Sequence, residues 1–76
     1  MNEEALRPRI LYITDRAAKI QEGIGRYIDH YSFDDNNVTV IVSNGRFKIP
    51  VELLEKEPDD TIISGNILPT FVDFGL

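Results

Sequence analysis

Apolar residues recur at every second position, Val40 and Val42 and then Phe47 and Ile49, on either side of an Asn44-Gly45 pair, and this is the clearest structural signal in the chain. A two-residue Asn-Gly turn puts both residues in the left-handed region, which glycine accepts freely and asparagine tolerates. Ser43 is then opposite Arg46, Val42 opposite Phe47, Ile41 opposite Lys48, and Val40 opposite Ile49. One face of the predicted hairpin holds Val40, Val42, Phe47 and Ile49, and the other holds Thr39, Ile41, Ser43, Arg46 and Lys48. A slip of one residue would mix the two faces. On this reading Gly45→Val costs about 1–3 kcal/mol, because a β-branched residue resists positive φ, and Asn44→Gly is nearly neutral. Pro50 closes the second strand and opens a short helix in "VELLEKE", with Val51, Leu53 and Leu54 inward and Pro58 ending it.

Elsewhere the pattern is shorter. Residues 1–8 read as a flexible N-terminus ahead of a single domain over 9–76. "RILYIT", Arg9 to Thr14, is apolar and rich in β-branched and aromatic residues, which predicts a buried strand. Thr14 or Asp15 then caps a helix whose stripe is Ala17, Ile20, Ile24, Tyr27, Ile28 and Tyr31. Gly23 and Gly25 interrupt that stripe at up to about 1 kcal/mol each, so packing outweighs them or the helix bends. "SFDDNN" is a turn by composition. "TIISG", Thr61 to Gly65, predicts another strand or buried segment, and "TFVDF", Thr70 to Phe74, an edge strand. The sum is a small single α+β domain, strand-helix-hairpin-helix-strand-strand, with a mainly antiparallel sheet.

Length and charge narrow the function. At 76 residues the chain is near the lower limit for a single core without disulfides or metals. It has no cysteine and one histidine, which excludes disulfide frameworks, thiolate zinc sites and imidazole clusters. Apolar runs are far shorter than the roughly 20 residues that cross a bilayer. No signal peptide is recognised, and a cytoplasmic location is expected. Residues 1–33 hold five acids and five bases, whereas residues 34–76 hold eight acids and three bases. The entire net charge of −5 therefore lies in the second half. Such a surface repels phosphate and favours basic partners.

Catalytic equipment is sparse. Asp15, Ser43, Asn44 and Asn66 fall at predicted strand ends, where a parallel sheet would gather them into a site. The antiparallel hairpin scatters them. His30, beside Asp29, reads as a solvated helix residue, and "GIG" lacks the spacing and lysine of a phosphate loop. The pairs Asp34/Asp35 and Asp59/Asp60 lack calcium-loop spacing and read as turn and cap residues.

Three resemblances are carried by particular residues. "VTVIVSNGRFKIPVELLEKEPDDTII", residues 38–63, resembles the opening of a BTB/POZ domain of the potassium-channel tetramerisation type, which implies a homo-oligomerising adaptor surface. "GRFKIPVELLEK", Gly45 to Lys56, is similar to the core of AbrB-type swapped-hairpin transcription regulators, a family that binds DNA through basic residues; here Arg46 and Lys48 stand in the hairpin. "ILYITDRAAKIQEGIGRYI…VTVIVSNG" is similar to the N-terminal strand, glycine turn and helix of GT-B glycosyltransferases.

The expectation drawn from these features is a small acidic non-enzymatic protein-binding module. Its type is that of phage or mobile-element inhibitors and regulators, acting on a nucleic-acid-handling partner with a basic surface. Asp34, Asp35, Glu52, Glu55, Glu57, Asp59 and Asp60 are the expected contact carboxylates. No cofactor, no metal, no membrane contact and no direct nucleic-acid binding are expected. The alternatives are a homodimer or higher oligomer serving as a BTB-like or AbrB-like adaptor, and a small α/β enzyme fragment using Asp15, Ser43, Asn44 and Asn66.

Overall fold

Leu6, Ile10, Ile13, Ala17 and Ile20 recur at steps of four and three, the period of one helix face. In the computed structural model, which describes residues 3–75, they form the inward stripe of α1 (Glu3–Ile20). "RILYIT" is thus helix and not strand. Ile10 and Ile13 are fully buried, while Leu11 and Tyr12 point outward at 47% and 52% exposure. Residues 3–8, expected in a flexible N-terminus, are the first turns of the same helix. Pro8 lies inside the helix, where it removes one ladder bond. Burying each isoleucine contributes about 1.5–3 kcal/mol, enough to outweigh that loss. Thr14 caps nothing. It is buried in mid-helix and its hydroxyl donates to the Ile10 carbonyl at 2.8 Å, while Asp15 pairs with Lys19 one turn on at 3.1 Å.

The helix stops at Ile20, before the two glycines, and Ile24 is buried from the following loop. The second half of the expected helix is β1 (Ile28–Phe33), with Tyr27 exposed ahead of it. The register against β2 (Asn37–Val42) shifts between Ile28 and His30. That one-residue irregularity at Asp29 has a purpose in packing. It sets Ile28, Tyr31 and Phe33 opposite Val42, Val40 and Val38, all on the core face, leaving His30 and Ser32 on the other. Without it Ile28 would point away from the core.

β3 (Gly45–Pro50) completes the hairpin with β2, and β4 (Val72–Asp73) adds to its far side, giving an antiparallel sheet in the order β1-β2-β3-β4. α2 (Val51–Glu55) and α3 (Asp60–Asn66) follow β3, and a single 3-10 turn (Leu68–Thr70) leads into β4. "TIISG" is accordingly helical. Its buried residue is Ile63, and the Asp59 carboxylate caps the helix by accepting from the Ile62 amide at 2.9 Å. Pro50 precedes the first residue of α2, and the Val51 amide donates to the Asn36 carbonyl at 2.9 Å. The architecture is a two-layer α+β domain. Val38, Val40, Val42, Phe47 and Ile49 from the sheet meet Ile10, Ile13, Ala17, Leu53, Leu54, Ile63 and Ile67 from the helical side. The other sheet face is open to solvent. No helix among the described residues is long and apolar enough to cross a membrane.

The hairpin faces are those predicted, and the turn is not. Val42 pairs with Gly45, Val40 with Phe47 and Val38 with Ile49, so Ser43 and Asn44 form the connection. The register is displaced by two residues, which preserves every side chain's face. Among the described residues only Gly75 has positive φ, so neither Asn44 nor Gly45 adopts the left-handed conformation that an Asn-Gly turn demands. Asn44 is held from outside the hairpin. Its Oδ1 accepts from the Gly25 amide at 2.9 Å, its amide nitrogen donates to the Gly23 carbonyl, and its own carbonyl accepts from the Phe74 amide at 2.9 Å. A Cβ on Gly25 would lie 2.9 Å from that Oδ1, which accounts for a glycine there.

Asn44→Gly is therefore not neutral. Losing both side-chain bonds while leaving the partly buried Gly25 amide unpaired should cost about 1–3 kcal/mol. Chemical denaturation of Asn44→Gly and Asn44→Ala checks this, and equality of either with the parent would show that the side chain does not anchor the turn.

Candidate functional site

Leu11 and Tyr12 lie off the inward stripe of α1, so helix geometry forces them to the surface. Tyr12 borders a concavity of about 560 Å³ between α1 and the segment joining α2 to α3, lined also by Pro8, Arg9, Glu57, Pro58 and Asp59. The Arg9 guanidinium donates to the Lys56 carbonyl and so ties the segment to the helix. Further along α1, Arg16 forms a two-pronged ion pair with Asp60, Nε to Oδ1 at 3.0 Å and Nη2 to Oδ2 at 2.5 Å. The hydrogen bonds first, and the opposite charge second, raise the Arg16 pKa above its ordinary value. The result is an open hollow lined by an aromatic ring and two prolines, with carboxylates at its rim.

The seven expected contact carboxylates separate by what each already does. Asp34 accepts from the Asn36 amide at 2.8 Å and the Asn37 amide at 2.6 Å, closing the β1–β2 turn, and those bonds hold its carboxyl below the ordinary value. Asp59 caps α3, and Asp60 is bound to Arg16. These three have structural work. Asp35, Glu52, Glu55 and Glu57 are exposed and have no hydrogen bond or ion pair to the described residues. Glu57 lies in the wall of the Tyr12 hollow, Glu52 and Glu55 stand on α2 just before it in the chain, and Asp35 belongs to the β1–β2 loop, which meets the start of α2 through the Val51–Asn36 bond.

Sequence reasoning missed Tyr12, because it was placed inside a buried strand. The signal that finds it is the stripe from Leu6 to Ile20, which extends across Pro8 and leaves position 12 outside. The enzyme alternative fares differently. Asp15 and Asn66 are not at strand ends, since Asp15 is within α1 and Asn66 ends α3, where its amide donates to the Ile62 carbonyl at 2.9 Å. Ser43 and Asn44 remain at the hairpin turn, and none of the three principal concavities is lined by any of the four.

His30 is exposed, as expected, though from β1 and not from a helix. The open sheet face carries Thr39, Arg46, Lys48 and Val72 around a second concavity of about 460 Å³. A third, of about 570 Å³, runs beside β1 between Arg7 and Leu11 of α1 and residues Arg26 to Tyr31. Within the described residues no group of three or more His, Asp or Glu side chains is arranged to hold a metal ion. In comparisons with protein families, curated proteins and solved structures, nothing matches this chain.

Proposed function

We propose that this protein is a non-enzymatic binding module that docks on a basic surface of a partner protein through the Tyr12 hollow and the α2 carboxylates. The observation that carries the reading is a half-exposed tyrosine that lines one hollow with Pro8, Pro58, Glu57 and Asp59, where Arg9 ties the α2–α3 segment to α1. Aromatic anchors in a walled pocket supply most of the energy of a protein interface, and rim charges supply steering and selectivity. Glu52, Glu55 and Glu57 need no rearrangement to meet lysine or arginine, because nothing in the described chain holds them. A protein that handles nucleic acid offers such a basic surface. Occupying that surface would regulate it without chemistry.

The test is capture of partners on immobilised protein at about 50 and 500 mM salt, a range over which screening shortens to a few Å. A partner held through this site should be lost at the higher salt, weakened by the combined Glu52→Gln, Glu55→Gln and Glu57→Gln changes, and lost with Tyr12→Ala. Glu22→Gln, outside the hollow, should change nothing. Capture indifferent to salt and to both sets of substitutions would overturn the assignment.

A further inference from the structure

β1 is an edge strand of six residues, and no strand among the described residues pairs with its outer side. The direction of its backbone groups follows from a single bond. The Asp34 amide donates to the Asn37 carbonyl at 2.9 Å, and in an antiparallel ladder bonded and non-bonded pairs alternate. Ser32 and His30, opposite Thr39 and Ile41, therefore direct their N–H and C=O groups at β2. Tyr31 and Phe33 direct theirs outward. The first half of that outer edge borders the groove lined by Arg7, Leu11, Arg26, Tyr27, Asp29 and His30. Tyr27 and Leu11 are exposed apolar surface, at 81% and 47%.

The charges along the edge are ordered. Arg26 and His30 stand at its leading end, with Asp29 the one acid there, and Asp34 and Asp35 stand at its trailing end. Arg7, Arg26, His30 and Asp35 have no ion pair within the described residues. Two antiparallel strands bring the leading end of one against the trailing end of the other, so this order is complementary to itself. We propose that β1 pairs antiparallel with β1 of a second copy of this chain, making one continuous eight-stranded sheet about a two-fold axis at Ser32.

In that register Tyr31 of each copy lies opposite Phe33 of the other, and the two symmetric pairs satisfy the outward N–H and C=O groups of both residues. Tyr31 and Phe33 already meet edge-to-face within one chain, centroids 6.0 Å apart at 74°. Pairing joins the two sets into a four-ring cluster on the helical side of the sheet. His30 of each copy lies opposite Asp34 of the other on the open face, Asp29 falls opposite Asp35, and the long Arg26 side chain, three residues before Asp29, reaches along the edge to offset that pair of acids. Exposed edges are normally blunted by charge, bulges or cover. Here the irregularity at Asp29 spares the stretch from Tyr31 to Phe33. The interface shares no lining residue with the Tyr12 hollow, so a dimer would present that hollow twice.

Sedimentation velocity of the full chain over about 1–300 μM reads the association. The expected result is a reversible dimer. Tyr31→Pro removes an outward N–H and leaves the β1–β2 ladder its donors, so it should weaken association by about tenfold or more while the far-ultraviolet dichroism is kept. If that variant fails to fold, the charge pair decides. Arg26→Glu and Asp35→Lys alone should each weaken the dimer, and together they should restore it, which a purely structural role for either residue would not produce. A parent that stays monomeric at the highest concentration overturns the proposal. A dimer unmoved by Tyr31→Pro and by both single charge changes also overturns it, by placing the contact elsewhere. Binding of an added extended peptide along β1 by a chain that itself stays monomeric also overturns it, because the edge would then serve a different strand.

Discussion

Phe47→Ala is expected to cost about 3–5 kcal/mol and to leave much of the chain unfolded at room temperature. Phe47 is the largest of the fully buried side chains, at the centre of β3 and opposite Val40. Its ring fills the space between the sheet and the helical layer. A domain of this size has little in reserve, since total stability is about 0.05–0.15 kcal/mol per residue. Urea denaturation followed by circular dichroism measures the loss, and Phe47→Leu, which keeps most of the volume, should cost less than about 1.5 kcal/mol. A Phe47→Ala protein as stable as the parent would mean that the layers close over the gap, and that the core is looser than its burial indicates.

Gly45 should be nearly as sensitive. A Cβ at Gly45 would collide with the Val72 carbonyl oxygen and come within 2.7 Å and 2.9 Å of two atoms of the Phe71 ring. The carbonyl belongs to backbone paired with β3, so it cannot turn aside without releasing β4. Gly45→Val should cost about 1–3 kcal/mol, as overpacking does, and should detach the C-terminal strand. The direction agrees with the expectation from an Asn-Gly turn, and the mechanism does not. Gly45→Asn separates the two. Asparagine tolerates positive φ and would be mild in a left-handed turn, but its Cβ meets the same carbonyl as any other. Equal losses for Gly45→Asn and Gly45→Ala, read from thermal melts and from amide exchange at Val72 and Asp73, support close approach. A mild Gly45→Asn with a severe Gly45→Val would return the glycine to the turn.

What the sequence determined by itself was which residues share a face. Val40, Val42, Phe47 and Ile49 are on one side of the hairpin in the predicted register and in the observed one, because a displacement of two residues leaves a period of two unchanged. The α2 helix and the final edge strand were legible for similar local reasons, proline at one boundary and alternation in the other. The register was not local. It depends on Asn44 reaching the carbonyl and amide of Gly23 and Gly25, and on Val72 lying against a residue with no side chain. The two apolar runs at Ile10–Ile13 and Ile62–Ile63, read as a buried strand and as a strand or buried segment, were misassigned because so short a run fits strand or helix. Burial of Ile10, Ile13 and Ile63 in one core, with α1 packed on α3, selects the helix. The carboxylates divide in the same manner. Composition put them in the second half of the chain, but only the fold assigns Asp34 to a turn, Asp59 to a cap and Asp60 to Arg16, leaves Glu52 and Glu55 unpaired on α2, and sets Glu57 in one hollow with a tyrosine that the sequence reading buried. A side chain's duty depends on its spatial neighbours, and those are fixed by contacts between residues far apart in the chain.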